Sequence, residues 1–279
     1  MQIPRVWIKA SGEGKLPDGN VVPISLWGWG QDEAEARGNG VDRLKRVLER
    51  IGRGEPFPDT YGYGTRPVRE EILETLALDA LGEPSAVITR NGYGVQVLNT
   101  DRLLFLDIDL PLPGLSDRIR QMFGGASSEQ KAISRLRDSL RSHSNATFRL
   151  YRTAAGLRAI AIDREYDPTA QDVQDLMQAT GTDPAYARLC RVQRSFRARL
   201  TPKPWRCNSP PPPGGYPRTD AGIQKQFTAW LTRYEEASAR HATCRYLETI
   251  GNASPGGDAS RLIEIHDRTT RCNEPLPLA

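Results

Sequence analysis

The run Leu103-Leu104-Phe105-Leu106-Asp107-Ile108-Asp109-Leu110-Pro111 constrains this chain more than any other segment. At the two-residue period of a strand, Leu104, Leu106, Ile108 and Leu110 point to one face, while Asp107 and Asp109 share the other. Two carboxylates at the end of a buried strand are costly unless something compensates their charge. Arginine and a divalent cation are the usual compensators. Oxygen ligands on a rigid element suit magnesium or manganese, and magnesium works together with substrate phosphates. The structural alternative is that one aspartate caps the following turn and the other meets an arginine.

The flanking sequence extends this strand into a recognisable order. A helix is expected near residues 128–141, strands at 147–152 and 157–162 around Ala154-Ala155-Gly156, helices after Pro168 and from Pro184 to Val192, and an alternating strand at 195–200. Strand, helix, strand, strand, helices, strand is the βαββαβ order of ferredoxin-like and RNA-recognition folds. The expected fold class is therefore α+β with an RNA-recognition/ferredoxin-like core.

An N-terminal strand pair, residues 6–8 and 21–27, flanks a turn rich in Gly, Pro, Asp and Asn, and a helix follows over 32–51. A Gly-, Pro- and Tyr-rich loop leads to Pro67, which suits the first turn of a helix running to about Leu81. Strands at 86–89 and 95–98 enclose Gly92-Tyr93-Gly94, read as a hairpin turn because no helix opens after it. Pro210-Pro211-Pro212-Pro213-Gly214-Gly215 interrupts regular structure, and helices are expected at 221–246 and 259–267. The expected organisation is an N-terminal strand pair with helices over 1–84, the core over 85–208, and a proline-rich linker with accessory helices over 209–279.

Composition sets the outer limits. The chain has 279 residues, 38% of them hydrophobic, and a formal charge of +4, which neither demands nor excludes a nucleic-acid partner. No run approaches the roughly 18 apolar residues of a membrane span, and the N-terminus carries no signal-peptide pattern, so a cytoplasmic location without a membrane partner is expected. Cys190, Cys207, Cys244 and Cys272 are widely spaced, which favours reduced thiols over a disulfide scaffold. A zinc site can be drawn from His241, Cys244, Cys207 and Cys272, but no second close pair supports it.

The cationic residues are less evenly spread than the net charge suggests. Between Arg188 and Arg206 stand Arg191, Arg194, Arg197, Arg199 and Lys203, with Phe196 and Trp205 interleaved and no acid. Such a strip suits phosphate contacts and base stacking, and arginine binds phosphate through two N–H groups at once. Its alternative is a solvated helix face followed by a strand whose arginines pair with remote acids. In a βαββαβ unit the first and third strands are neighbours, so Arg152, Thr153 and Arg158 can lie beside the aspartates, and an Arg158–Asp107 ion pair is the structural alternative. Tyr61-Gly62-Tyr63-Gly64-Thr65-Arg66-Pro67 gives only a weak anion-loop signal. His143, His241 and His266 lack a recognisable partner and read as structural.

Taken in order, these motifs resemble the archaeo-eukaryotic primase superfamily. Leu106-Asp107-Ile108-Asp109 is similar to its acidic strand motif. Arg152-Thr153-Ala154-Ala155-Gly156-Leu157-Arg158 is similar to the second motif, with Arg158 where the family carries a nucleotide-contacting histidine. Arg197-Ala198-Arg199-Leu200-Thr201-Pro202-Lys203 is similar to the basic strand after the third motif. The resemblance covers about 100 residues of the 279.

It implies an RNA-recognition-like core performing two-metal nucleotidyl transfer with nucleoside triphosphates on nucleic acid. Asp107, Asp109 and a third acid, Asp183 or its competitor Asp163, would bind Mg²⁺ or Mn²⁺. Arg158 would join the aspartates in catalysis, and Arg152, Thr153, Arg197, Arg199 and Lys203 would hold phosphates. Arginine cannot act as a neutral imidazole. That departure keeps open a non-catalytic nucleic-acid- or nucleotide-binding module on the same fold. A metal-dependent phosphodiesterase would use similar carboxylates, but no histidine stands near them in sequence.

Overall fold

A computed structural model of the chain describes residues 1, 3–55, 66–110, 128–143 and 146–279. The glycine- and tyrosine-rich loop at 56–65 and the Pro111, Pro113, Gly124 and Gly125 loop lie outside the described residues. The fold is α+β with antiparallel sheets. The chain divides into two compact units, one from Gln2 to Glu71 and one from Ile72 to Ala279 that includes Met1.

The first unit is a long hairpin with a helix. Strands β1 (Val6–Lys15) and β2 (Val21–Gly30) pair antiparallel over their whole length. Helix α1 (Glu33–Gly52) begins at Asp32, whose carboxylate accepts from the Glu35 amide at 2.8 Å, while Glu35 accepts from Gln31 N–H at 2.6 Å. This reciprocal cap satisfies amides that a helix start leaves open. A Cβ on Gly28 would strike the backbone of Ala36 and Gly40, so glycine permits the close approach of strand and helix.

The second unit holds the strands β3 (Glu71–Leu78), β4 (Pro84–Arg90), β5 (Gln96–Thr100), β6 (Phe105–Asp109), β7 (Phe148–Thr153), β8 (Gly156–Ala161), β9 (Phe196–Arg199) and β10 (Cys244–Ile250). Its helices are α2 (Ser128–His143), α3 (Gln171–Ala179), α4 (Pro184–Gln193), α5 (Ala221–Ser238) and α6 (Gly257–Thr270). Among the described residues the strands form two sheets, ordered β10-β7-β8-β6 and β3-β4-β5-β9. Phe105, Leu157, Ile160, Met177 and Leu262 belong to one buried core that strands and helices share. Full burial of each such side chain contributes about 1.5–3 kcal/mol.

Three sequence expectations are corrected here. The helix expected from Pro67 to Leu81 is replaced by strand β3, which pairs with β4. Its leucines fit a helical stripe only loosely, and the neighbouring β4 edge offers backbone partners that local preference cannot foresee. The helix expected over 221–246 ends at Ser238, and the chain re-enters as β10, whose ends Cys244 and Ile250 are buried. β10 adds to the edge of β7, so the C-terminal segment helps to build the central sheet.

The third correction concerns the strand at 195–200, expected as the last strand of the βαββαβ core. Strands β6, β8 and β7 are neighbours in that order, but β9 is hydrogen-bonded to β5 in the other sheet. Tyr186 on α4 stands between β6 and β9. Its buried hydroxyl lies 3.2 Å from the Phe105 carbonyl and 2.9 Å from the Arg197 carbonyl, and it accepts from the Arg197 amide at 3.3 Å. The phenol thus links backbone groups of β6 and β9.

Candidate catalytic site

Exposure rises along one face of β6. Phe105 is buried, Asp107 has a side chain 38% exposed, and Asp109 is exposed. Both aspartates therefore sit where the sheet meets solvent. Asp107 pairs in register with Arg158, and Asp109 with Gly156. A Cβ on Gly156 would strike the Ile108 carbonyl, so only glycine lets the β7–β8 hairpin close against β6 here. Tyr246, Tyr151, Arg158 and Asp107 occupy one row across the four strands of this sheet.

Arg158 is the centre of that row. It is 1% exposed, its Nη2 lies 3.6 Å from Asp107 Oδ1, and its Nη1 donates to the Arg199 carbonyl at 3.0 Å. The Arg158–Asp107 ion pair raised as the structural alternative is therefore present, as a single contact and not as a two-pronged fork. Behind Arg158, its Nη1 lies 3.3 Å from His266 Nε2 on α6. Arginine has no acceptor, so Nε2 must be the bare nitrogen and Nδ1 carries the proton. Nδ1 faces Asp267 Oδ1 at 2.9 Å. Burial, together with the Arg158 charge, pushes His266 down to about 4 against the pull of Asp267, which keeps the ring neutral.

Asp267 closes the network. Tyr151 donates to its Oδ1 at 2.7 Å, and Arg149 pairs with its Oδ2 at 2.6 Å. Burial pushes this carboxyl up, but the bonds from His266 and Tyr151 and the Arg149 charge outweigh it and leave the pKa low. Arg149 also donates to the Tyr151 hydroxyl at 2.8 Å. A continuous chain of polar contacts thus runs from Asp267 on α6 through His266 and Arg158 to Asp107.

The solvent side of the row is rich in positive charge. Burial, then the neighbouring Arg158, lowers Arg199 to about 10, while Asp107 opposes the shift. Lys203 is lowered by burial and by Arg199 and Arg206, while Asp109 and Asp107 pull it back up. Around two carboxylates the structure therefore gathers Arg158, Arg199, Lys203 and Arg206. The buried Nε groups of Arg158 and Arg199 have no hydrogen-bond partner among the described residues. A buried guanidinium N–H without an acceptor is costly.

The other expected site residues fall differently. Arg152 donates to Gly156 O at 2.8 Å and pairs with Glu129 at 2.5 Å. Thr153 Oγ1 accepts from the Gly156 amide at 3.0 Å. Both brace their own hairpin. Arg197 is buried on β9; burial raises the nearby Cys190 thiol to about 12, and the Tyr186 hydroxyl and the Arg197 charge only partly oppose that rise. The Asp183 amide donates to the Asp107 carbonyl at 3.0 Å, while its carboxylate caps α4 through the Ala185 amide at 3.0 Å. Asp163 accepts from the Tyr166 hydroxyl at 3.1 Å.

Among the described residues no three His, Cys, Asp or Glu side chains group as a metal cage. The four cysteines are buried free thiols. Two strand-borne carboxylates still fit magnesium, which keeps several waters and usually takes one or two protein carboxylates plus phosphate oxygens. Among the described residues no helix is long and apolar enough to cross a membrane.

His266, Asp267, Arg149 and Tyr151 were not legible as site residues. A His-Asp pair on an amphipathic helix looks like ordinary packing until the fold brings it against a strand 108 positions away. No protein family, no curated protein and no solved structure matches the chain.

Proposed function

We propose that the second unit is a metal-dependent nucleotidyltransferase of primase-like type, using nucleoside triphosphates on nucleic acid. The observation that carries this reading is the Asp107–Asp109 pair at the solvent edge of β6, with the Arg158 guanidinium 3.6 Å from Asp107 and Lys203 interacting electrostatically with both carboxylates. Carboxylates beside a surplus of cations suit a ligand that brings both a metal and its own negative charge, as a magnesium-bound triphosphate does. Asp107 and Asp109 would hold the ion, and a bound ion would neutralise the phosphates and lower the pKa of an attacking hydroxyl. Arg158, held by His266 and Arg199 O, would set the position and charge of Asp107 from beneath the sheet surface. We read β6-α2-β7-β8-α3/α4-β9 as an RNA-recognition-like core whose last strand pairs with β5 instead; the β6-β8-β7 order supports this.

A second reading, a nucleic-acid-binding module without turnover, is supported by the Arg158–Asp107 pair and by the capping role of the Asp183 carboxylate. One experiment separates the two. Purified protein is given a primed template, labelled nucleoside triphosphate and Mn²⁺ or Mg²⁺. The nucleotidyltransferase incorporates label, and Asp107→Ala with Asp109→Ala abolishes incorporation. Incorporation that survives the double substitution rejects the assignment of these residues. Salt-dependent nucleic-acid binding with no incorporation and no metal requirement establishes the binding module instead.

A further inference from the structure

Two large aromatic side chains stand in solvent beside this site. Trp205, in the short 3-10 turn Pro204–Arg206, and Tyr93, at the β4–β5 hairpin, are each 54% exposed. Their rings meet edge-on, with centroids 5.4 Å apart and planes at 84°. The Lys203 ammonium lies 5.2 Å from the Trp205 ring centre. Lys203 also interacts electrostatically with Asp107 and Asp109, which ties the aromatic pair to the carboxylate face.

Both side chains are displayed on rigid supports. Phe227, Trp230 and Tyr234 of α5 form a buried cluster with Val95, Val97 and Cys207. Tyr234 donates to Pro202 O at 2.7 Å, which fixes the start of the Pro202–Cys207 turn. Gly94 has φ +79°, and a Cβ there would strike the Trp230 ring, so the hairpin tip is seated on the same helix. Exposing a tryptophan and a tyrosine on a braced platform forgoes the burial that aromatic side chains usually supply.

We propose that Trp205, with Tyr93, forms a stacking platform for a base of a single-stranded polynucleotide, whose phosphates follow Lys203, Arg206 and Arg199. The proposal rests on the nucleic-acid reading above and adds the strandedness of the partner and the residue that engages its bases. Every base has a π-face, whereas duplex bases are already stacked on each other. The half-buried cations beside Trp205 complement a phosphate backbone. A free mononucleotide is the poorer occupant. One base on an open ring gains only a few kcal/mol, which does not offset the loss of its own translational freedom, whereas a strand shares that cost over many contacts.

The test uses the full chain in EDTA, with fluorescein-labelled oligodeoxythymidylate and oligouridylate of about 16 nucleotides, read by anisotropy. The wild-type chain binds at least one of them with salt-dependent affinity. Trp205→Ala weakens binding about 5-fold to 150-fold, the equivalent of roughly 1–3 kcal/mol of stacking, and Trp205→Phe recovers most of it. Lys203→Gln lowers the slope of log affinity against log salt by about one, while Trp205→Ala leaves the slope unchanged. Equal binding by wild type and Trp205→Ala overturns the proposal, as does equal affinity for the duplexed oligonucleotide or no binding of either strand. Because metal is chelated, an inert catalytic site does not touch this readout. Conversely, an active enzyme whose strand binding ignores Trp205 overturns this inference alone.

Discussion

The two ends of the polar chain that runs from α6 to β6 use the same residue types and leave them in opposite states. At the inner end Asp267 is met by His266, Tyr151 and Arg149, and its side chain is only 14% exposed. Its strong acceptor oxygens are matched by three donors, and the network is complete. At the outer end Asp107 has one loose contact with Arg158, Asp109 is exposed, and the buried Nε groups of Arg158 and Arg199 lack acceptors among the described residues. A satisfied polar network makes a structure rigid, whereas an unsatisfied one costs stability and is kept where a ligand completes it. The comparison teaches that sequence identity of charged residues does not separate structure from chemistry; the count of partners does.

The largest contrast is in stability. Asp267→Ala strands Arg149 and the Tyr151 hydroxyl in the interior, and the expected loss is about 3–5 kcal/mol in denaturant unfolding. Asp107→Ala removes only a partly solvated contact, and the expected loss is about 1 kcal/mol or less. Equal losses at the two positions would erase the distinction between a finished and an open end.

Acid sharpens the same contrast. His266 is held near 4 in the folded protein, against about 6.5 in an unfolded chain. The unfolded state therefore binds the extra proton between those values, so this contribution is complete above pH 6.5 and is lost as pH falls towards 4. The depressed Asp267 carboxyl acts in the same direction at lower pH. Thermal unfolding from pH 7 to pH 4 is expected to show a fall on the order of 3 kcal/mol from His266. His266→Gln, which cannot titrate, flattens that segment of the curve. A wild-type profile that is already flat would mean that His266 is not held neutral against Arg158.

A smaller effect is expected where the two sheets part. Tyr186→Phe leaves the Phe105 and Arg197 backbone groups without their shared hydroxyl and should cost about 1–3 kcal/mol. Amide exchange at Arg197 should quicken in the variant. Unchanged exchange there would show that β6 and β9 hold their separation without the phenol.

Much of this arrangement is legible in the sequence where the signal is local. Alternation marked β6, the Ala154-Ala155-Gly156 turn marked β7 and β8, Asp32 and the apolar spacing marked α1, and the glycine turn marked the β4–β5 hairpin. The facing of Arg158 and Asp107 followed from strand order and the two-residue period. What failed depended on partners remote in the chain. β3 became a strand because β4 lay beside it, and β10 because β7 had an open edge. β9 joined the other sheet because β5 lay beside it. His266 and Asp267 acquired their role in the same way, through contacts that no local pattern announces.

The central claim is that the open end is completed by a metal and a triphosphate together. Its most direct measurement is Mn²⁺ binding followed by electron paramagnetic resonance, with and without a non-hydrolysable nucleoside triphosphate, in the wild-type protein and in Asp107→Ala with Asp109→Ala. The account predicts that protein-bound Mn²⁺ appears in the wild type when the triphosphate is present and disappears in the double variant. Mn²⁺ bound equally by both proteins, or by neither, would contradict it.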